Sequence, residues 1–184
     1  DAKDHLKIVR HEFLDVDQVS ALQRSRFSLQ RREGLPQFRV VRELPADRPR
    51  VWSLLMDPAV LSRCIPGCER LEPTGENSYK AVLKVAIASI KGSYSGTVTM
   101  SDLDAPKSYK LKVEGKGTPG FVRGVASVTL AQEGGSTDFR YAADVQVGGL
   151  IATVGQRMLQ GMATTLLHQF FECLNREVRS SGST

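Results

Sequence analysis

The chain has 184 residues, 41% hydrophobic and 24% charged, with a net charge of +5 and a pI near 9.3. That length allows one domain with a sizeable core, and the composition excludes a disordered or fibrous chain. No apolar run reaches the roughly 18 residues of a membrane-spanning helix, and the positive charge lacks the concentration of a nucleic-acid binder.

Residues 1–36 read as an appended arm. Within it "DVDQVSALQRSRFSLQRREG" (15–34) predicts a helix with a thin apolar stripe of Val16, Val19, Leu22 and Leu29, stopped by Gly34-Leu35-Pro36. Its basic cluster, "RSRFSLQRRE" (24–33), reads as a solvated face. The opening "DAKDHLKIVRHEF" has no apolar stretch of the signal-peptide kind. A strand follows at "FRVVREL" (38–44). Asp47 is placed to cap a short helix containing Val51, Trp52, Leu54 and Leu55, and Asp57-Pro58 breaks it and starts a second, ending near Arg63.

"RCIPGCERLE" (63–72) holds Cys64 and Cys68 around Ile-Pro-Gly. CxxxC is neither a zinc half-site nor a thioredoxin-type CxxC, and Cys173 is distant in sequence. Three cysteines, odd and sparse, predict a reducing, cytoplasmic setting, with all three free and packed as small apolar groups. A Cys64–Cys68 disulfide and a metal clamp are the weaker alternatives. Pro66-Gly67 ends the helix and turns the chain into the first hairpin.

From residue 68 the apolar period becomes two. "YKAVLKVAI" (79–87), "YSGTVTMSDL" (94–103), "YKLKVEG" (109–115), "GVASVTLAQE" (124–133) and "TDFRYAADVQV" (137–147) each alternate, with "EGGS" (133–136) as a short hairpin turn. In the last strand Phe139, Tyr141, Ala143, Val145 and Val147 face inward. Such alternation predicts an antiparallel sheet with one buried face. "GKGTPG" (115–120) matches GxGxxG, but a strand follows it where a phosphate site needs a helix, so it reads as a flexible loop at a cavity rim. "GLIATVGQRMLQGMATTLLHQFFECLNREV" (149–178) predicts one long helix with a stripe of Ile151, Val154, Met158, Met162, Leu166 and Phe170. Gly155 and Gly161 within it suggest close approach of a backbone or ligand. His168 and Glu172 are one turn apart and can pair. No catalytic motif, metal set or cofactor fingerprint is present.

The order of elements predicts an α+β fold in which a curved antiparallel sheet wraps around a long C-terminal helix. One helix of about 10–12 Å diameter cannot fill that concavity, so an internal hydrophobic cavity is expected. Its predicted lining is Leu83, Val98, Leu111, Val113, Phe139 and Tyr141 from the sheet, Val154, Met158, Met162 and Leu166 from the helix, and Phe121 at the rim. The domain spans 37–179, with a flexible tail at 180–184. An apolar wall without an acid–base pair points to a binding protein for a lipophilic molecule. The alternative is an enzyme of cyclase or hydrolase type acting on an apolar substrate, since such folds host both.

"RVWSLLMDPAVLSRCIPGCERLE", "KGSYSGTVTMSDLDAPKSYKLKVEGKGTPGFVRGVASVTL" and "DVQVGGLIATVGQRMLQGMATTLLHQFFECL" together resemble the CoxG family, the G-subunit family of carbon monoxide dehydrogenase, over about residues 38–175. The resemblance implies a helix-grip (START-like, SRPBCC) fold and a non-catalytic role beside molybdenum hydroxylases of the carbon monoxide dehydrogenase type. It also implies binding of a lipophilic quinone and peripheral contact with the inner face of the membrane. The residues end at "REVRSSGST", short of the linker and membrane-associating tail of the family pattern.

Overall fold

A computed structural model describes residues 37–87 and 90–180. The arm over 1–36, with the helix and solvated basic face expected there, and the tail after Ser180 lie outside the described residues.

β1 (Gln37–Leu44) leads into α1 (Arg48–Leu55) and α2 (Pro58–Cys64). Both helices start as the sequence predicts. Asp47 accepts a hydrogen bond from the Arg50 N–H at 3.2 Å, and Asp57 one from the Ala59 N–H at 2.8 Å. Each satisfies a donor that the first helical turn leaves unpaired.

Six strands follow: β2 (Cys68–Gly75), β3 (Ser78–Ile87), β4 (Ile90–Asp104), β5 (Ser108–Gly117), β6 (Gly120–Glu133) and β7 (Ser136–Gly148). With β1 they form one antiparallel sheet of order β1-β7-β6-β5-β4-β3-β2. The run at 115–120 is not a loose loop. Gly117 pairs directly with Gly120, leaving a tight turn of Thr118 and Pro119.

The sheet register fixes which side chains share the concave face. Tyr79, Val98, Val113, Gly124 and Val145 form one row, Met100, Leu111, Ala126 and Ala143 the next, and Tyr109, Val128, Tyr141 and Val40 a third. Two-residue periodicity puts every member of a row on the same side.

The terminal helix is not continuous. α3 (Leu150–Thr153) stops at Val154, and α4 (Gln156–Ser180) restarts after Gly155, whose φ is +82°. A side chain rarely tolerates that angle. The break shifts the helical phase, so Leu159 and Met162 are buried while Met158 is 43% exposed. Gly161 is exposed, with nothing near its Cα hydrogen side, so close approach does not explain it. Nor is α4 the sole cover. α1 and α2 pack beside its C-terminal half, where Val51, Leu54, Leu55, Val60, Phe171, Leu174 and Val178 build the main core with Leu130 and Phe139. No helix among the described residues is long and apolar enough to cross a membrane.

The cysteines differ from expectation. Cys64, the last residue of α2, is disulfide-bonded to Cys173 on α4 with the Cα atoms 5.2 Å apart, and only Cys68 is free. The pairing joins residues 109 positions apart, which local spacing could not reveal. In the turn that follows, Gly67 has φ +74° and its carbonyl accepts the Lys84 N–H at 2.8 Å. A Cβ at Gly67 would strike the Lys84 carbonyl.

Thiol titration of denatured, unreduced protein should therefore find one reactive thiol per chain, rising to three after reduction. Reduction should lower stability by about 2–5 kcal/mol. Three thiols without reductant would remove the bond. We also propose that residues 37–179 fold without the arm. Deleting residues 1–36 should leave a cooperative thermal transition, and an insoluble product would show that the arm covers core surface.

Candidate ligand-binding site

Two adjoining apolar cavities lie between the concave face and the helices. The larger, about 320 Å³, is walled by Tyr79, Val98, Met100, Tyr109, Leu111, Val113, Val128, Phe139 and Tyr141 of the sheet. Leu55 of α1, Leu61 of α2, the Ile65-Pro66 turn, Leu71 of β2, and Leu166, Leu167, Phe170 and Phe171 of α4 complete it. The smaller, about 260 Å³, lies toward the start of α4. It is lined by Phe38, Val122, Val145, Val147, Ile151, Leu159, Met162 and Ala163. Tyr141, Leu166 and Leu167 belong to both walls. These three side chains stand as a partition between the two cavities.

Of the expected residues, Val98, Leu111, Val113, Phe139, Tyr141 and Leu166 line the larger cavity, and Met162 lines the smaller. Four others do not. Leu83 is on the concave face of β3, opposite Tyr94, but outside either wall. Phe121 has the opposite strand parity to Val122. Its ring covers Gly148, and the Arg123 guanidinium stands 5.3 Å from its centroid, so it is no rim residue. Val154 caps α3, and the break at Gly155 turns Met158 outward. A stripe drawn through an unbroken helix is therefore one residue out of phase at its start.

Sequence reasoning missed Tyr109 and the α1–α2 side of the wall. Tyr109 was legible as the in-phase neighbour of Leu111 and Val113. The contribution of Leu55, Leu61 and Ile65 had no local signal, because it depends on where two short helices dock.

The polar groups in these walls are phenols. Neither the Tyr109 nor the Tyr141 hydroxyl has a hydrogen-bond partner among the described residues, and neither is sealed from solvent as the Tyr94 hydroxyl is. Burial pushes the Tyr109 phenol far above its ordinary value, and nearby Tyr141 adds to the effect. Burial likewise raises Tyr141. Trp52 meets the Tyr109 ring edge-on at 5.6 Å. His168 stands outside both walls, 3.2 Å from Glu172 and 3.3 Å from the Arg42 guanidinium. Asp102, on the rim of the sheet, pairs with Lys110 at 2.6 Å. Cys64, Cys173 and Glu177 have potential ligand atoms within 4.8 Å of one another. Both sulfurs are bonded together, and Arg63 grips the Glu177 carboxylate at 3.0 and 3.2 Å.

The CoxG family, described as the G-subunit of carbon monoxide dehydrogenase, matches residues 41–179. A conserved protein from Geobacillus kaustophilus is 40% identical, with a TM-score of 0.77 over 79% of this chain and 96% of that one. Two more distant structures share the fold alone. A START superfamily protein from Mycobacterium smegmatis is 12% identical, with a TM-score of 0.63 over 78% of this chain and 97% of that one. The Zhui aromatase/cyclase from Streptomyces sp. R1128 is 12% identical, with a TM-score of 0.60 over 78% and 93%. No curated protein matches the chain.

The raised Tyr109 value sets an alkaline limit. Folding holds this phenol protonated while the unfolded chain ionises it near pH 10. Its stabilising effect is thus complete below about pH 10 and lost as pH rises through the higher folded value. Melting temperature should fall above that pH, and Tyr109→Phe should make the fall shallower. An unchanged slope in the variant would refute the assignment.

Proposed function

The chain belongs to the CoxG family of carbon monoxide dehydrogenase, and from that premise we propose that it binds a lipophilic small molecule in the two-chambered cavity. A quinone fits such a space. The partner is a molybdenum hydroxylase of the carbon monoxide dehydrogenase type, served through maturation, membrane recruitment or delivery of an electron acceptor. Contact with a membrane in this reading is peripheral.

The observation that carries the reading is the wall itself. Apolar clefts of about 300–1,000 Å³ with few polar groups are the usual form of small-molecule sites. An enzyme on this fold would need a proton donor and acceptor matched to its working pH, or a nucleophile. Among the residues lining the two cavities there is no carboxylate, imidazole, amine or thiol. The phenols, raised by burial, are poor bases near neutrality. These facts favour holding a molecule over transforming it.

The test is direct. A short-chain lipophilic quinone should quench Trp52, the single tryptophan, and raise the melting temperature. At a hundredfold excess over Kd the gain is about 2.7 kcal/mol. Leu111→Trp should fill the larger cavity and abolish that ligand-induced shift, at an overpacking cost of no more than about 1–3 kcal/mol. A parent protein whose melting and fluorescence ignore every lipophilic ligand offered would overturn the reading and leave a scaffold.

A further inference from the structure

We infer that Tyr109 and Tyr141 act together as a hydrogen-bond donor pair for a neutral carbonyl on the ligand, whose apolar remainder extends past the Leu166–Leu167 partition into the smaller chamber. The inference rests on the carrier reading above and names the head-group chemistry it requires.

The placement follows from strand register. Tyr109 on β5 and Tyr141 on β7 both oppose Val128 on β6, so they stand in one row on the concave face with a single strand between them. Strands lie about 4.8 Å apart, which puts the two Cα atoms about 10 Å apart across the curve of the sheet. Both side chains line the larger cavity. Tyr109 is 6% exposed, yet its hydroxyl, like that of Tyr141, has no partner among the described residues. Neither hydroxyl is sealed as the Tyr94 hydroxyl is, so each remains reachable from the cavity and free to bond a group that enters it. With the phenol of Tyr79, on β3 of the same wall, they are the polar groups of that lining, but only Tyr109 and Tyr141 share a row across a single strand.

The chemistry of that partner is narrow. Burial keeps both phenols protonated, so each offers an O–H donor. A carbonyl oxygen has two lone pairs and can accept from both. It brings no donor of its own that would be stranded in the apolar wall. A carboxylate or phosphate would enter without a cation, since no Lys, Arg or His lines either cavity, and unpaired buried charge is strongly disfavoured. The partition residue Tyr141 also borders the smaller chamber. A head group at its hydroxyl therefore directs a tail toward Ile151, Leu159 and Met162.

The experiment compares two probes on the full chain: a long-chain alkyl phenyl ketone and the alkylbenzene of the same chain length. Binding is read by Trp52 quenching and by the shift in melting temperature. The parent should bind the ketone at least tenfold more tightly. Tyr109→Phe and Tyr141→Phe should each weaken ketone binding about three- to tenfold, as loss of one hydrogen bond does. The double variant should bind both probes equally, with its affinity for the alkylbenzene unchanged. Tyr94→Phe removes a sealed hydroxyl outside the cavity walls and should leave the preference intact. Without ligand, the double variant should melt no lower than the parent, because the lost hydroxyls had no partner. A ketone preference that survives in the double variant would overturn the donor pair while leaving the carrier reading standing. Failure of the parent to bind either probe would overturn both.

Discussion

The contact on which the cavity depends is the docking of the C-terminal half of α4. Phe171 meets Phe139 edge-on at 4.9 Å, and Leu174 behind it is fully buried. From there to Val178 the helix is sealed into the core built by α1, α2 and the β6–β7 end of the sheet. Between Leu159 and Leu167 the same helix faces open space. The helix thus roofs the space from a tightly packed C-terminal half, while α3, just before its start, is held by Ile151, whose N–H donates to the Pro119 carbonyl at 2.9 Å. Aromatic pairs of this geometry add about 0.5–1.5 kcal/mol beyond their area, a large share of the stability that any one contact can supply.

Two further links tie the same end. The Cys64–Cys173 bond joins the tip of α2 to α4, and Arg63 one residue earlier chelates Glu177 one turn later. The Arg63 hydrogen bond holds the Glu177 carboxyl below its usual value. That ion pair is largely exposed, so its worth is small; its two-point geometry orients the helices more than it stabilises them. The covalent bond is different, because it limits how far the unfolded chain can spread. Together they fix the Ile65-Pro66 turn, which forms part of the larger cavity's wall. The wall's α2 side is therefore as rigid as the helix pair behind it.

Much of this was legible in the sequence. Strict alternation from Tyr79 to Val147 specified the strands and their inward faces, because a one-residue slip would expose every apolar side chain. Asp47 and Asp57 marked both helix starts. The family likeness carried the fold as a whole, and the match over residues 41–179 bears it out. What escaped notice has a common physical cause. The phase of the terminal helix depends on one backbone angle at Gly155, which composition does not report. The pairing of Cys64 with Cys173 and the entry of Leu55, Leu61 and Ile65 into the wall are long-range outcomes of helix docking. Phe121 misled because an aromatic beside a glycine-rich run suggests a rim, whereas strand parity sends it to the outer face against Gly148.

The space is built into the residue choice rather than left over from imperfect packing. Beneath the roof the concave rows carry Ala81, Gly96 and Gly115 side by side, and Ala126 with Ala143 two rows further along. At Gly96 any side chain is excluded, because a Cβ would strike the Glu114 carbonyl. Empty volume is destabilising by about 24 cal/mol per Å³ where the wall cannot relax. Even discounted for its openness, a cavity of about 320 Å³ then costs several kcal/mol, comparable with the whole net stability of a domain this size, about 5–15 kcal/mol. The sequence tolerates that cost while it seals the neighbouring core down to fully buried Leu44, Val51 and Leu174. Tight packing at one end and small residues at the other are opposite solutions within a single sheet. A bound apolar molecule reconciles them, since it restores to the loose end the contacts that the side chains withhold.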